Sequence, residues 1–287
     1  MLKKSLIAGA IVATLELGVS GMAFADGAAP PASPATFTGN IGVFSQYVFR
    51  GLTQTNEEPA YQGGFDFTYN FGPATFYLGT WGSNINWLLE SGQEDSSLEM
   101  DLYGGIRGNF GASDFTYDVG YLYYYYPDAN SGITLFPTGE KGDTGEIYGQ
   151  LGYKWFTAKY SYGVSDKYFA VRDAQGTWYL NLTATVPFGS SGFTGTVHWG
   201  DQKYNGTDDR LPFTIASGAT CTSNDDCYSY TDWLVGISYD VSKLSTVLSG
   251  VTFGINYTNT DSKDFYDNFY GRNIGKDQIT VYLQKAL

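Results

Sequence analysis

The chain has few of the residues on which metal sites and nucleic-acid binding depend. Its 287 residues include one histidine and two cysteines, and 16 basic residues stand against 29 acidic ones. One histidine without a thiolate cluster argues against a zinc site. The net charge of −13 argues against nucleic-acid binding, because phosphate neutralisation requires clustered lysine and arginine. We therefore expect no metal, no cofactor and no nucleic-acid partner.

Long apolar runs are also missing. After the N-terminal segment, no stretch approaches the roughly 20 apolar residues that a membrane helix needs. At the N-terminus, Lys3 and Lys4 precede a short apolar run, and Ala23 and Ala25 form a small-x-small cleavage site. This pattern predicts a signal peptide over residues 1–25 and an exported mature chain without a helical anchor.

Proline and small residues then dominate residues 26–35 (DGAAPPASPA), which predicts a flexible linker. The remaining residues, 36–287, are predicted to form one domain. They are rich in tyrosine, phenylalanine and glycine, with 25, 19 and 37 in the whole chain. Tyrosine and phenylalanine favour strands, and so many glycines disfavour helices.

A period of two is clearest over residues 98–127. Apolar side chains hold the even positions from Leu98 to Phe110, and after a short turn they hold the odd positions from Phe115 to Tyr125. Such a change of parity is what a tight antiparallel hairpin requires if both apolar rows are to face one side. Each arm has about the 9–11 residues with which a tilted strand crosses a bilayer.

About twelve strand-like runs follow this pattern, and the connections between them alternate between short and long. The predicted runs are 36–50, 59–71, 74–86, 98–110, 114–126, 144–155, 157–165, 176–188, 192–201, 229–240, 250–260 and 276–286. Short turns on one side and long loops on the other are typical of outer-membrane barrels. The predicted fold class is therefore all-β: a closed antiparallel transmembrane β-barrel with short periplasmic turns and long extracellular loops.

Aromatic residues flank the short turns, as in an interfacial girdle. Phe71, Phe110, Phe115, Phe188 and Phe193 occupy such positions. The alternative is that they are turn-flanking core residues of a β-sandwich. A sandwich does not require aromatic residues at successive turns of one class, so the girdle is favoured.

Charged residues on the polar parity are predicted to face the lumen, because a charge facing lipid costs about 2–4 kcal/mol near the midplane for arginine or lysine. The pore-lining candidates are Asp66, Glu99, Asp101, Arg107, Asp118, Glu146, Lys154, Lys159 and His198. They either brace the wall as acid–base pairs or form a charged constriction that filters solutes. About twelve strands leave a narrow pore at best.

The single histidine and the two cysteines are candidates for a catalytic residue and for a disulfide, respectively. Catalysis by His198 would need a serine within hydrogen-bond reach and an orienting group, and the flanking residues offer no serine. We therefore expect no catalytic residue. Cys221 and Cys227 lie close together on an exported chain, which predicts a local disulfide.

Several stretches resemble the TorF-family porins of Gram-negative bacteria. The resemblance is carried by SQYVFRG at 45–51, QGGFD at 62–66, WGSNI at 81–85, EMDLYGG at 99–105 and the tyrosine run up to Pro127. It implies an outer-membrane barrel with a channel function. The loop that contains the cysteines resembles an insertion, and the chain ends in Leu287 where many barrels end in an aromatic residue.

The predicted function is an outer-membrane channel for passive diffusion of small hydrophilic solutes, with a weak preference for cations because the inward acids outnumber the bases. Its expected partners are those solutes, outer-membrane lipid and lipopolysaccharide. A non-conducting structural or adhesive barrel is an alternative that an inward-folding loop would favour. A barrel hydrolase is another, which a serine near His198 would favour.

Overall fold

The computed structural model describes residues 33–90, 96–127, 141–209, 211–214, 218, 220–262, 264–267, 269 and 271–287. The predicted signal peptide and most of the predicted linker lie outside these residues. Within them, no helix has the length and apolar character needed to cross a membrane.

Twelve antiparallel strands close into a barrel. In chain order they are β1 (Ala35–Phe44), β2 (Ala60–Asn70), β3 (Ala74–Asn84), β4 (Leu98–Asn109), β5 (Phe115–Tyr125), β6 (Thr144–Tyr153), β7 (Phe156–Gly163), β8 (Trp178–Pro187), β9 (Phe193–Lys203), β10 (Tyr230–Asp240), β11 (Val251–Asp261) and β12 (Gln278–Ala286). Each strand pairs with its neighbours in sequence, and β1 pairs with β12 to close the sheet, with Phe44 opposite Tyr282. The predicted fold class and strand number are confirmed.

The remaining described elements are short. They are the two-residue strands Val48–Phe49, Leu52–Thr53, Phe213–Thr214 and Thr220–Cys221, the helices Trp87–Glu90, Asn224–Tyr228 and Asp264–Asp267, and the 3-10 turns Val241–Lys243 and Thr246–Leu248. All of them lie in connections between barrel strands. The barrel itself is the only large sheet that these described residues form.

The outward face of the wall is apolar along its whole circumference. Phe37, Phe65, Leu78, Val197 and Ile279 are each more than half exposed in the isolated chain, and they alternate with inward polar residues. A closed barrel satisfies every backbone group of its wall internally, so this apolar belt can face hydrocarbon. Together with the even strand number, it identifies a transmembrane barrel of the bacterial outer membrane.

Several inward tyrosines lie against glycines of the adjacent strand. Tyr77 stands opposite Gly105 and Tyr282 opposite Gly254 in the strand register. A Cβ atom added to Gly254 would lie 2.2 Å from the Tyr282 ring. The ring therefore lies along the wall rather than across the lumen, in the space that the missing side chain leaves. This packing keeps bulky residues on the inner wall without filling the barrel.

The connections at the two ends differ in length, as predicted. Short turns at 71–73, 110–114, 154–155 and 188–192 and a longer one at 241–250 join strands at the end where β1 begins and β12 ends. The opposite end carries the long connections 45–59, 85–97, 126–143, 164–177, 204–229 and 262–277. By the usual orientation of such barrels, the short turns are periplasmic and the long loops extracellular.

The first strand is shorter than predicted, and this changes the inside of the barrel. The sequence predicted a strand over 36–50, but β1 ends at Phe44. Residues 45–59, which we call the plug loop, leave the wall and fold into the lumen. Their two short strands, Val48–Phe49 and Leu52–Thr53, form a miniature hairpin whose turn is Arg50–Gly51. Both turn residues have positive φ, 45° at Arg50 and 80° at Gly51.

Candidate functional site

The tip of the plug loop is fixed by a buried arginine. One Nη of Arg50 lies 2.9 Å from the Glu146 carboxylate of β6, and the two side chains are 1% and 0% exposed. The other Nη donates to Gln202 of β9 at 2.9 Å and to the Tyr168 hydroxyl. Because a buried charge is tolerated only when it is paired and hydrogen-bonded, these contacts are what allow a loop arginine to enter the barrel.

Aromatic rings complete the surroundings of this guanidinium. Its Cζ lies 4.4 Å from the ring centroid of Tyr179 in β8 and 4.8 Å from that of Phe49 in the plug loop. Such cation–π contacts add attraction that grows when water is excluded. Burial raises the pKa of the Tyr168 hydroxyl well above its usual value, so this group remains protonated and can donate to Glu146.

The other side of the plug tip fits against the far wall. A Cβ on Gly51 would lie 2.2 Å from Thr260 of β11 and 2.6 Å from Asp232 of β10. Arg50 meanwhile reaches β6, β8 and β9. The tip of the plug loop, which leaves the wall between β1 and β2, therefore reaches across the lumen to β6 and to β8–β11.

Glu99 and Asp101 lie behind the plug loop. Both point inward from β4, as predicted, but they are only 2% and 1% exposed. Glu99 accepts a 2.9 Å hydrogen bond from the Tyr47 hydroxyl of the plug loop. Burial raises the pKa of this hydroxyl. Neither carboxylate oxygen of Asp101 has a hydrogen-bond partner among the described residues. The plug loop thus separates both acids from open water.

Four more of the predicted pore-lining residues point inward from β2, β4, β5 and β7. Asp66 accepts from the Tyr103 hydroxyl at 2.7 Å, and Asp118 accepts from the Tyr77 hydroxyl at 2.6 Å. The cations lie over the same class of ring: Arg107 is 5.2 Å from the Tyr77 centroid, and Lys159 is 4.4 Å from that of Tyr148. Tyrosines therefore hold these four charged side chains against the wall, in contacts that differ from the acid–base pairs that the sequence predicted.

Lys154 was placed in the lumen by parity, and the structure corrects this. It lies in the turn at 154–155 between β6 and β7, with about half of its side chain exposed and its Nζ 3.9 Å from Asp114 of the neighbouring turn. Its φ of 54° is a turn conformation. The alternation of inward and outward positions holds only while the backbone is extended, so it fails at this residue.

His198 lies on the inner wall of β9, as predicted. Its Nε2 is 3.0 Å from Asp232 and 3.0 Å from the Tyr179 hydroxyl, and its Nδ1 is 3.1 Å from the Thr183 hydroxyl. No serine is among the hydrogen-bond partners of this ring in the described chain. The histidine therefore ties β8, β9 and β10 of the wall together.

Five site residues escaped the sequence analysis as candidates: Arg50, Tyr168, Tyr179, Gln202 and Asp232. Strand parity could have placed Tyr179, Gln202 and Asp232 inward. Tyr168 lies in a loop, and so does Arg50, which the sequence had predicted at the end of the strand 36–50.

The predicted disulfide is present between Cys221 and Cys227. Both cysteines are buried, and Cys227 belongs to the helix Asn224–Tyr228. They belong to the extracellular connection 204–229, whose Tyr204 and Tyr228 pack against each other 5.4 Å apart. The disulfide therefore cross-links a loop whose Tyr204 and Tyr228 belong to the same buried cluster as Leu52 of the plug loop.

Comparisons with solved structures find several outer-membrane proteins. The COG4313 outer membrane channel from Pseudomonas putida F1 aligns with a TM-score of 0.48 and 9% identity, over 90% of this chain and 96% of that one. OccAB1 of Acinetobacter baumannii aligns with a TM-score of 0.44 and 12% identity, over 90% of this chain and 66% of that one. Salmonella typhi OmpF, solved with daunomycin, aligns with a TM-score of 0.39 and 10% identity, over 88% and 97%. The chain thus spans slightly less than two thirds of OccAB1.

Among curated proteins, no sequence matches the chain. A family model matches residues 28–287, which is nearly the whole chain that remains after the predicted signal peptide. That model does not carry the TorF name, so the TorF resemblance stays a prediction. The chain belongs to the Gcw_chp family, described as bacterial proteins of unknown function.

Proposed function

We propose that the protein is an outer-membrane channel that passes small hydrophilic solutes by diffusion and that the plug loop holds it closed in this conformation. The observation that carries the proposal is the change in the inner wall along the barrel axis. Toward the periplasmic turns, the inner wall includes small polar residues that stay partly exposed, among them Thr183, Thr196 and Asn256, beside buried residues such as Tyr77 and Asp118. A wall that is polar and reached by solvent is that of an aqueous passage rather than of a packed core.

The plug loop could leave the lumen without disrupting the barrel wall. The plug loop is a connection between β1 and β2, so its departure would break none of the strand pairings that close the barrel. The contacts that hold it in the lumen include those of Arg50, the fit of Gly51 and the Tyr47–Glu99 hydrogen bond. Removing these contacts would leave a continuous twelve-stranded lumen.

A weak preference for cations follows from the charges that this lumen would then expose. Inward carboxylates on the described strands include Asp66, Glu99, Asp101, Asp118 and Glu146, while Arg107 and Lys159 are the predicted cations that remain there. A net negative potential concentrates cations within a Debye length of about 8–10 Å at ordinary salt. The preference should therefore fade at molar salt.

Lipid and lipopolysaccharide are the proposed membrane partners. The apolar belt would contact acyl chains, and acidic residues of the extracellular loops, such as Glu57 and Asp209, would meet lipopolysaccharide through shared divalent cations. Neither contact requires a change in the barrel.

The second candidate function is a non-conducting structural barrel. The inward plug loop and the aromatic residues packed around it favour this function, because they close the extracellular half of the lumen. The two candidates differ in what happens when the plug is removed.

Planar-bilayer conductance of a plug-deleted variant separates the two candidates. In this variant, residues 46–57 are replaced by a short Gly-Ser linker, and in the control the periplasmic connection 241–250 is shortened in the same way. We expect larger and longer openings in the plug-deleted variant and wild-type behaviour in the control. A folded plug-deleted barrel that does not conduct would overturn the channel and establish the structural barrel.

A further inference from the structure

A cavity of about 70 Å³ lies among the extracellular loops, next to the plug loop. Phe49, Leu52 and Gln54 of the plug loop form one side of it, and the rest is formed by side chains from four other extracellular connections together with Gln202 of β9 and Tyr230 of β10. We propose that this cavity is a binding site for a small uncharged ligand that carries one aromatic ring. The inference does not depend on whether the lumen conducts.

Aromatic side chains supply most of the cavity wall. Phe169 and Phe265 are only partly buried although they pack against the aromatic cluster, so part of each ring remains open to contact. Tyr228 and Phe265 already meet edge to face, with centroids 4.8 Å apart and planes at 89°. The flat ring of a ligand could pack edge to face or offset against these side chains. This geometry favours aromatic ligands over branched aliphatic ones.

Several polar groups of the wall are already engaged, whereas the buried indole N–H of Trp87, which also lines the cavity, has no hydrogen-bond partner among the described residues and is open to one polar substituent. Gln202 accepts from Arg50 and donates to the Trp178 carbonyl, and Gln54 donates to the Leu52 carbonyl. The Tyr266 hydroxyl donates to the Tyr228 carbonyl. A sugar would bring several hydroxyl groups that these residues could not satisfy, and unsatisfied polar groups oppose binding. An aromatic ring with one small polar substituent avoids this cost.

The charge and the size of the cavity restrict the class of ligand further. No acidic or basic side chain is among the described residues that line the cavity, so an ionised ligand would lose hydration without gaining a partner. The volume is about half of the roughly 150 Å³ of an engineered cavity known to bind benzene. The enclosed space therefore admits no more than one ring, and the substituent of that ring would occupy the part of the cavity that is open to solvent.

The experiment titrates p-cresol into the full-length protein in lipid nanodiscs and follows binding by isothermal titration calorimetry. Val171 lines the cavity and is 3% exposed, so Val171→Phe fills the space. Val197→Phe makes the same substitution on the lipid-facing side of β9, where the valine is 56% exposed, and serves as the matched control. Leu52→Phe fills the cavity from the plug side if Val171→Phe does not fold.

We expect saturable binding at one site in the wild type and in Val197→Phe, and at least tenfold weaker binding in the cavity-filling variant. Glucose should not displace p-cresol from the wild type. Equal, non-saturating uptake by all variants would show partition into lipid and overturn the proposal. Displacement by glucose at concentrations similar to those of p-cresol would overturn the aromatic assignment in favour of a sugar site.

Discussion

Arg50 of the plug loop and Glu146 of β6 form a salt bridge of 2.9 Å in which both side chains are at most 1% exposed. The two residues are 96 positions apart in the chain. The pair joins the first extracellular loop to the inner wall of β6, at the third residue from the extracellular end of that strand.

Breaking this pair should open the channel. Removing one partner of a buried ion pair leaves the other charge uncompensated, at a cost of about 3–5 kcal/mol. In Arg50→Ala, expulsion of the plug loop relieves that cost by hydrating Glu146. We expect a higher single-channel open probability, and Glu146→Gln should act in the same direction because it leaves Arg50 buried without a counter-charge.

Lys276→Ala is the matched control. It removes the 2.9 Å ion pair with Glu57 of the same plug loop, but both side chains are about half exposed. An exposed pair contributes about 0–1 kcal/mol. This variant should conduct as the wild type does, and the same behaviour in Arg50→Ala would show that the pair does not hold the plug.

Gly51→Ala should displace the plug loop by steric overlap. The added methyl group would meet Thr260 and Asp232 at 2.2 and 2.6 Å, and the φ of 80° disfavours any side chain. Trypsin should then cleave after Arg50, which is buried in the wild type, and mass spectrometry can detect the new terminus. Gly72→Ala is the control, since φ there is 99° but nothing lies within 4 Å of the added atom. Protection of Arg50 in Gly51→Ala would contradict the fit.

The tyrosine–glycine packing of the inner wall predicts that alanine substitution of two glycines will have different effects on barrel stability. In Gly254→Ala the new methyl group would overlap the Tyr282 ring, and overpacking of this kind costs about 1–3 kcal/mol. Gly149→Ala places the same group where nothing lies within 4 Å. The urea midpoint, read from heat-modifiable migration on gels, should fall only in Gly254→Ala. A similar midpoint in both variants would mean that Tyr282 moves aside without cost.

The disulfide should stabilise its loop and not the barrel. Closing a short loop contributes about 2–3 kcal/mol on the chain-entropy estimate. Thiol labelling of denatured, unreduced protein should find no free cysteine. Cys221→Ser should increase proteolysis within 204–229 and leave the barrel heat-modifiable. Labelling of both cysteines in unreduced protein would show that the bridge does not form in the cell.

Selectivity can be tested once the plug is displaced. Glu99 and Asp101 are covered in the closed conformation, so their charges should influence permeation mainly in the Arg50→Ala background. There, Glu99→Gln with Asp101→Asn should shift the reversal potential under a KCl gradient toward zero. Asp114→Asn, in an exposed periplasmic turn, should leave it unchanged. Anion selectivity before the change would instead assign the constriction to Arg107 and Lys159.

The sequence by itself determined the barrel. Alternation with a period of two assigns each strand residue to one face of the wall. Because one face contacts lipid and the other contacts water, a residue on the wrong face would cost free energy. For this reason Glu99, Asp118 and His198 could be placed inward without coordinates. The local disulfide followed equally directly from two nearby cysteines on an exported chain.

Only the tertiary structure decided what fills the lumen. The sequence predicted that residues 45–50 continue the first strand, but the course of the plug loop depends on Glu146, Gln202 and Asp232, which lie far away in sequence and come together only when the barrel closes. The parity that assigned Glu99 to the lumen could not show that Tyr47 covers it. Lys154 was misplaced for the related reason that strand parity ends where the backbone turns. Local patterning specifies the wall, whereas the closure depends on long-range pairing of buried charges.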